Sequence, residues 1–522
     1  MVGGGITGAG IARDAALRGL KVALVEKLDF AAGTSSKSSK LVHGGLRYLE
    51  QAEIKLVFES VNERRLLTEK ARHLVRPSAF LVTHFKGDRH LLPTLDFGLW
   101  LYEGLCLFRV HRLHRTYGKR KTLELEPGLR GDGLTGGIVY YDCQTDDARL
   151  TLENVLDAVS LGAVAANHAR AGKLLREGDG KVCGAEVTCS LTNETVPVRA
   201  SVVINATGPW SDEVRHLHGD GPILKPTRGS HIVVDAARLP ITHALMMLAP
   251  SDKRAVFAIP WGLGRTVVGT TDTFHDGKPD EVYATPADVQ YLLDTANHYN
   301  PGAKLEMKDV LSTWSGLRPL LDPHKGASAS KVSREHTLHS APGFVTIAGG
   351  KLTTYRRMAA EALDHALLQT GKAPKCTTHE RALPGSEGLK DDADLDALAH
   401  ELTVGGMKAD HADALVKLYG VRSTVLAERE GSDPAAAEAI DPELPWTMAQ
   451  VDEAVENELA ATLDDVLTRR VPVLLRARDQ GLGVAEKVAG RMATKLGWSA
   501  DRKAEELATY RAAVDVSRRF RA

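Results

Sequence analysis

Residues 1–27, MVGGGITGAGIARDAALRGLKVALVEK, read as a glycine turn, a helix, a strand and a closing acid. Gly3, Gly5 and Gly8 form G-x-G-x-x-G. In that spacing the first glycine allows the tight turn, the second lets backbone N–H groups approach a pyrophosphate, and the third lets helix and sheet pack closely. An anion there lies on a helix N-terminus, where unpaired donors and the macrodipole favour it. Ile11, Ala15, Ala16 and Leu20 recur at helical spacing, Gly19 ends the helix, and VALV at residues 22–25 is an apolar run suited to a buried parallel strand. Glu26, about 20 residues past the glycines, stands where a carboxylate accepts hydrogen bonds from an adenosine ribose and repels a 2′-phosphate. Only Met1 and Val2 precede the turn. A central strand should hold about four or five more residues, so a start upstream is expected, and the shortfall should weaken both sheet and nucleotide binding.

The same glycine spacing recurs at Gly131, Gly133 and Gly136, but IVYYD follows, a strand pattern where the motif requires a helix. That copy reads as a turn. The 522 residues suffice for two or three domains, and 43% hydrophobic with 25% charged residues is ordinary for a soluble globular protein. A net charge of −1 excludes bulk affinity for nucleic acid or an anionic surface. Cys106, Cys143, Cys183, Cys189 and Cys376 contain no C-x-x-C, which points away from a disulfide framework or metal site and towards a reducing compartment. No signal peptide and no 18-residue apolar run is expected, so any membrane association should be peripheral.

Residues 31–51 carry Thr34, Ser35, Ser36, Ser38 and Ser39 with Lys37 and Lys40, small donors plus charge suited to phosphate, although a Ser-rich linker has the same composition. HGGLRY then packs His43, two glycines, Arg47 and Tyr48 into a loop suited to close backbone approach. Residues 53–72 read as a solvated helix. LDFGLWLYEGLCLF, followed by Arg109, Arg112, Arg115, Lys119, Arg120 and Lys121, reads by default as a core helix and an exposed loop, with a membrane-surface segment as the alternative. Residues 150–205 read as a helix and then short strands. Residues 225–350 hold β-rich runs separated by Gly, Pro and Asp, consistent with an antiparallel sheet, plus a helix from Pro286 to His298. Past about Lys372 the chain is Ala/Leu-rich and helical, with no catalytic cluster.

Taken together, the opening stretch, TSSKSSKLVHGGLRYLE, NATGPW, GTTD, SGLRPL and GGKLTTYR resemble the FAD-dependent glycerol-3-phosphate dehydrogenase family, in one order over nearly the whole chain. The resemblance implies an α/β (α+β) chain. Its parts would be a two-dinucleotide-binding-type FAD domain (about 1–75, 145–220 and 340–371), interleaved with an antiparallel-sheet substrate domain (about 76–144 and 221–339), and a C-terminal helical cap domain (372–522). It implies FAD as cofactor, glycerol 3-phosphate as substrate and a membrane quinone as acceptor. It further implies peripheral attachment to the inner, cytoplasmic face of the cytoplasmic membrane, with a homodimer as one candidate assembly, and no metal. It puts Arg47, Tyr48 and Lys351 on the substrate phosphate, with Arg334 a further candidate, and Arg318 by the reacting oxygen. His231 is the choice for proton acceptor because imidazole titrates in the useful range. Gly3, Gly5 and Gly8 should face the diphosphate and Glu26 the ribose; Thr34, Ser35, Ser39 and Lys40 the diphosphate or ring edge. Ala206, Thr207 and Gly208 should line the ADP side, and Gly350, Leu352 and Thr353 the turn beside the flavin pyrimidine.

Three other readings compete. A glycerol-3-phosphate oxidase would share the site and use oxygen, but carries an extra substrate-domain insertion that is not obvious here. A flavin amine or amino-acid oxidase would need one Arg and a Tyr for a carboxylate. A non-enzymatic helical interaction module would bind no FAD, and colour in the purified protein separates it.

Overall fold

The computed structural model describes residues 1–45, 53–88, 90–105, 107–108, 110–322, 335–371 and 374–522. Arg47, Tyr48, Cys106, Arg109 and Arg334 lie outside the described residues.

The glycine turn leads into the helix Ile6–Leu17 and then the strand Ala23–Val25. Val2 bridges Val25 on one side and Asn205 on the other, both in parallel, and the Met1 ammonium donates to Ala23 O at 2.7 Å. The strand Val164–Ala166 flanks Ala23–Val25 in parallel, and Val203–Asn205 pairs in parallel with Phe344–Gly349. One edge is closed by the antiparallel strand His336–Ala341. Ile11 and Ala15 pack against Met358, Ala359 and Ala362 of the helix Tyr355–Leu367, and Ala9 and Ala12 against Leu152 and Val155 of the helix Asp147–Ser160. Asp146 caps the latter by accepting from Arg149 N. The strands Ala169–Arg176, Val182–Cys189 and Thr195–Arg199 form a separate antiparallel meander.

The second region is built on a ten-stranded sheet. The strand Thr227–Asp235 lies between Arg265–Gly269 and Val310–Arg318, both antiparallel to it. The sheet is not wholly antiparallel, since Ala244–Leu248 runs parallel to Arg76–Phe85. Gly133 turns the chain into the strand Leu134–Gln144, so the second glycine motif is a turn before a strand. The helix Pro286–Tyr299 begins with a capping box between Thr285 and Asp288.

Two helices depart from expectation. Ile54–Lys70, expected to be solvated, buries Leu56, Val57, Val61 and Leu67, and its Glu63 pairs with Arg356 at 2.5 Å. Alternating charge had the look of a wet surface, but Glu63 and Arg64 find buried partners instead. Leu92–Leu105, read by default as a core helix, buries Leu99 and Tyr102 while Phe97 is 70% exposed and Trp100 and Leu101 are also exposed. Among the described residues no helix is long and apolar enough to cross a membrane.

The C-terminal part is helical: Asp392–Val404, Ala409–Tyr419, Ser423–Ser432, Met448–Glu456, Ala485–Leu496 and Ala500–Arg518, with a π-turn at Asp465–Arg470. It shares a core with the sheet. Val233, Val267 and Trp314 of the strands sit in one cluster with Val466, Leu467, Val488 and Met492 of the helices. Ser312 Oγ donates to Leu475 O at 2.8 Å, and Thr313 N to Ser517 Oγ at 3.0 Å, which joins strand and helices at the edge.

A titratable contact ties the meander side to these helices. His168 Nε2 lies 2.9 Å from Asp465 Oδ2. Burial opposes the charged imidazole, but the hydrogen bond and charge of Asp465 outweigh it, so the pKa of His168 stands above its usual value. A histidine raised on folding stabilises fully below its unfolded pKa of about 6.5, and that contribution is lost as pH rises through the folded value. The wild type should therefore lose its melting-temperature advantage over His168→Gln on going from about pH 5 to 8. An advantage that stays constant across that range would refute the assignment.

Candidate active site

A cavity of about 960 Å³ opens where the two regions meet. The glycine turn borders it with Gly3 and Gly5, the end of the second strand with Glu26, and the Ser-rich segment with Thr34, Ser35, Lys37 and Ser39. Ala206, Thr207 and Gly208 line it from the turn after Val203–Asn205, and Gly350, Lys351, Leu352 and Thr353 from the turn before Tyr355–Leu367. His231 and Arg318 come from adjacent strands of the large sheet.

Gly8 is outside the lining, and its role is steric: a Cβ there would stand 1.9 Å from Gly3 O. The helix end it permits carries no acidic residue in its first turn and no capping side chain from Gly5, so beyond Ile6 N its first-turn N–H groups are left for an anion. Ser35 Oγ accepts from Ile6 N at 2.9 Å, which locks the Ser-rich segment onto that end. Glu26 accepts from Gly4 N at 2.6 Å and Leu28 N at 2.9 Å. Burial raises its pKa despite those two bonds.

Lys40, expected at the diphosphate or ring edge, is engaged elsewhere. Its Nζ lies 2.6 Å from Asp147 Oδ1 and donates to Ser36 O at 3.2 Å, behind the cavity wall. A buried ammonium needs a partner, and the N-terminus of Asp147–Ser160 brings it one. Lys37 lines the cavity, and burial lowers its pKa.

Arg318 is held as a fork. Its Nη1 donates to Asp272 Oδ1 at 3.0 Å, and Nη2 to Thr270 Oγ1 at 3.3 Å. The guanidinium lies flat on Gly229, where a Cβ would stand 2.7 Å from Nη2. His231 is only 2% exposed, and its pKa is pushed well below the usual value by burial first and then by Arg318 and Lys40, so the imidazole is neutral and a weaker base than the ordinary side chain expected from the sequence.

Sequence reasoning missed three lining residues: His43, Thr270 and Asp272. The signals were present in HGG and GTTD, which were quoted as motifs without roles for these side chains. His43 is anchored by its backbone, with N donating to Thr353 Oγ1 and O accepting from it, both at 3.2 Å. Far from the glycine turn the cavity becomes apolar, lined by Phe80, Tyr140, Met246 and Phe257 and then by Phe97 and Leu101 of the exposed helix. Among the described residues no group of three or more His, Cys, Asp or Glu is arranged to hold a metal ion.

Residues 1–356 match the family described as FAD dependent oxidoreductase, and residues 376–503 the C-terminal domain of alpha-glycerophosphate oxidase. The chain is 40% identical to Glycerol-3-phosphate dehydrogenase 2 of Mycobacterium tuberculosis over 99% of this chain and 88% of that one. It belongs to the FAD-dependent glycerol-3-phosphate dehydrogenase family. The Aerobic glycerol-3-phosphate dehydrogenase of Staphylococcus haemolyticus is 38% identical over 90% of this chain and 86% of its own length. The crystal structure of the Bacillus halodurans glycerol-3-phosphate dehydrogenase complexed with FAD superposes with a TM-score of 0.83 at 34% identity, covering 99% of this chain and 94% of that one. The L-alpha-glycerophosphate oxidase of Mycoplasma pneumoniae shares the fold, with a TM-score of 0.57 and 21% identity over 73% of this chain and 97% of that one.

The family's cofactor is FAD, and the residues here fit it. An uncapped helix end, glycines that leave no room for a Cβ, and a carboxylate at the end of the next strand are what a dinucleotide's diphosphate and ribose require.

Proposed function

We propose that this protein oxidises sn-glycerol 3-phosphate to dihydroxyacetone phosphate and passes the electrons to a membrane quinone from the cytoplasmic face. The observation that carries the reading is that Arg318 and Lys351, cations from distant parts of the chain, border one cavity with the glycine turn and His231. A phosphate dianion calls for several cations, and an Arg fork can meet two oxygens at once. Arg47, Tyr48 and Arg334 complete the proposed phosphate grip. Gly3, Gly5, Glu26, Thr34 and Ser35 would hold the diphosphate and ribose of FAD, and Gly350, Leu352 and Thr353 its pyrimidine edge. Bound FAD supplies the hydride acceptor. The chain's part is to fix the substrate's middle carbon by its phosphate, to hold the reacting oxygen by Arg318, and to take the hydroxyl proton at His231.

Support for a lipid-borne acceptor comes from the apolar end of the cavity. Phe97 and Leu101 line it from an exposed helix, Leu107 and Phe108 stand exposed beyond that helix, and Arg112 and Arg115 follow. Cosedimentation with anionic vesicles should fall on Phe97→Ser with Trp100→Ser, and an unchanged bound fraction would reject that surface.

The reading as a whole is tested by the absorbance of the purified protein under nitrogen. Glycerol 3-phosphate should bleach the flavin bands, while a yellow protein that does not respond would refute the substrate assignment. Dye reduction exceeding oxygen consumption would identify a dehydrogenase, and the reverse an oxidase.

Asp272→Asn removes the charge that holds Arg318 while keeping its shape. A lost charge-assisted hydrogen bond of about 1.5–3 kcal/mol predicts a roughly 10- to 100-fold fall in kcat/KM with FAD content unchanged. Wild-type kinetics would mean that Thr270 Oγ1 and the Thr271 carbonyl, which accepts from both Nη atoms at 3.4 Å, suffice to hold the fork.

A further inference from the structure

His231 borders the cavity, and its ring is packed closely on all the sides the strands supply. One face stacks on Trp314, with ring centroids 4.9 Å apart and planes at 12°. The other lies against Gly269, where a Cβ would stand 2.1 Å from Cδ2. Among the described residues Nδ1 is buried without a hydrogen-bond partner, and Nε2 lies 2.9 Å from Ser39 Oγ. Ser39 itself is half-buried and lines the cavity.

The position of that hydroxyl is fixed by its neighbours. Ser38 N and Oγ donate to Asp147 Oδ2 at 3.0 and 2.7 Å, and Lys40 N donates to Ser38 Oγ at 2.9 Å. Trp314 Nε1 donates to Ser38 O at 3.1 Å, so the tryptophan that stacks on His231 also grips the segment carrying Ser39. Lys40 pairs with Asp147 on the far side. Imidazole and hydroxyl are thus held in register by one shared framework, and among the described residues the ring of His231 has one hydrogen bond, to a side chain that lines the cavity.

We infer that Ser39 is a catalytic residue, the hydroxyl through which the substrate's reacting O–H delivers its proton to His231. This rests on the proposed substrate and on His231 as acceptor. In the step, the O–H bond at the substrate's middle carbon breaks and its proton passes to Ser39 Oγ, while the proton of Ser39 Oγ passes to His231 Nε2. The C–H bond breaks with its electron pair, that hydride goes to FAD, and the carbon–oxygen bond becomes a carbonyl. The alcohol loses two electrons, FAD gains two, and the imidazolium returns its proton by the same hydroxyl after product leaves. The inference replaces a flavin contact for Ser39 with a role in proton transfer.

Anaerobic single-turnover bleaching, steady-state KM, the solvent deuterium isotope effect and the flavin-to-protein absorbance ratio test it. In Ser39→Ala the bleaching rate should fall by about 10²- to 10⁴-fold, the usual contribution of a positioned proton-transfer group, with KM and the absorbance ratio nearly unchanged. Ser39→Thr keeps the hydroxyl and should recover most of the rate. Ser39→Ala combined with His231→Gln should be no slower than His231→Gln alone, because both interrupt one path. The wild type should show a solvent isotope effect whose proton inventory curves, as two protons in flight require. A wild type that bleaches with Ser39→Ala just as fast would overturn the relay alone, as would a Ser39→Ala that loses FAD or raises KM at unchanged kcat. Proton transfer abolished by His43→Asn but untouched by Ser39→Ala would overturn it in favour of His43. A wild type that does not bleach at all would overturn the substrate reading, and the relay with it.

Discussion

Gly8→Ala is expected to produce a protein without FAD. The introduced Cβ would stand 1.9 Å from Gly3 O and 3.1 Å from Gly3 C, and the atoms it meets are backbone, so no side-chain rotation relieves the clash. Either the helix Ile6–Leu17 moves out or the turn at Gly3 opens. Both outcomes dismantle the anion site, because the helix end and the turn are one structure: Gly3 N donates to Val25 O at 2.8 Å and Ile6 N to Ser35 Oγ at 2.9 Å. Each 1.4 kcal/mol of distortion weakens binding about tenfold, so the flavin-to-protein absorbance ratio should drop by at least about tenfold. Gly431→Ala, a helical glycine with nothing within 4 Å of its added Cβ, is the control and should keep its colour. A yellow Gly8→Ala protein of normal stoichiometry would show that the turn does not hold the diphosphate.

Arg470→Met should destabilise the chain and release its cofactor at a lower temperature. Asp29 is 1% exposed; its Oδ2 accepts from Arg469 Nε at 2.5 Å and Arg470 Nη1 at 2.6 Å, and its Oδ1 from Arg470 Nη2 at 2.9 Å. Burial alone would raise its pKa, but the two guanidiniums hold it well below the usual carboxylate range. Arg470 also donates from Nε and Nη2 to Glu458 O, and the Glu458 carboxylate takes a bidentate contact from Arg149. Arg469 still pairs with Asp29, so the loss is that of buried charge-assisted hydrogen bonds, about 1.5–3 kcal/mol each, a large share of the roughly 5–15 kcal/mol that separates folded from unfolded domains. The loss reaches the cofactor because Asp29 belongs to the segment in which Ala31 N donates to Gly4 O at 3.0 Å. Flavin fluorescence on heating should therefore rise at a temperature lower by roughly 3–6 °C. Asp29→Asn combined with Arg470→Met should cost less than the sum of the two single changes, since the first removes the charge that the second strands. Release at the wild-type temperature in Arg470→Met would mean that the helical region is only docked against the nucleotide-binding part.

That coupling changes the view of the C-terminal helices. Their sequence carries no catalytic cluster. Their contribution is to complete the core of the large sheet and to clamp the loop after the strand Ala23–Val25. The strand Val310–Arg318 shows the connection directly: Trp314 packs among the helices from the same strand that ends in Arg318 at the cavity.

The nucleotide-binding turn was legible in the sequence because its parts are contiguous. Gly3, Gly5, Gly8 and Glu26 lie within 27 residues, and a turn, a helix and a strand each impose a local pattern of residue types. The helix Pro286–Tyr299 and the strand after the second glycine motif were legible on the same ground. Other features depended on partners far along the chain. Lys40 turns away from the cavity because Asp147, 107 residues on, meets it behind the wall. His231 meets Ser39, 192 residues earlier, because neighbouring strands put Trp314 and Gly269 on either side of its ring. Glu63 is buried because Arg356, 293 residues on, pairs with it, while Phe97 stays exposed and Trp100 half-covered by the ring of His114. Composition and period determine which residues turn, coil or extend. Which charge meets which, and which apolar face is left for a partner, is decided only when distant segments compete for the same buried space.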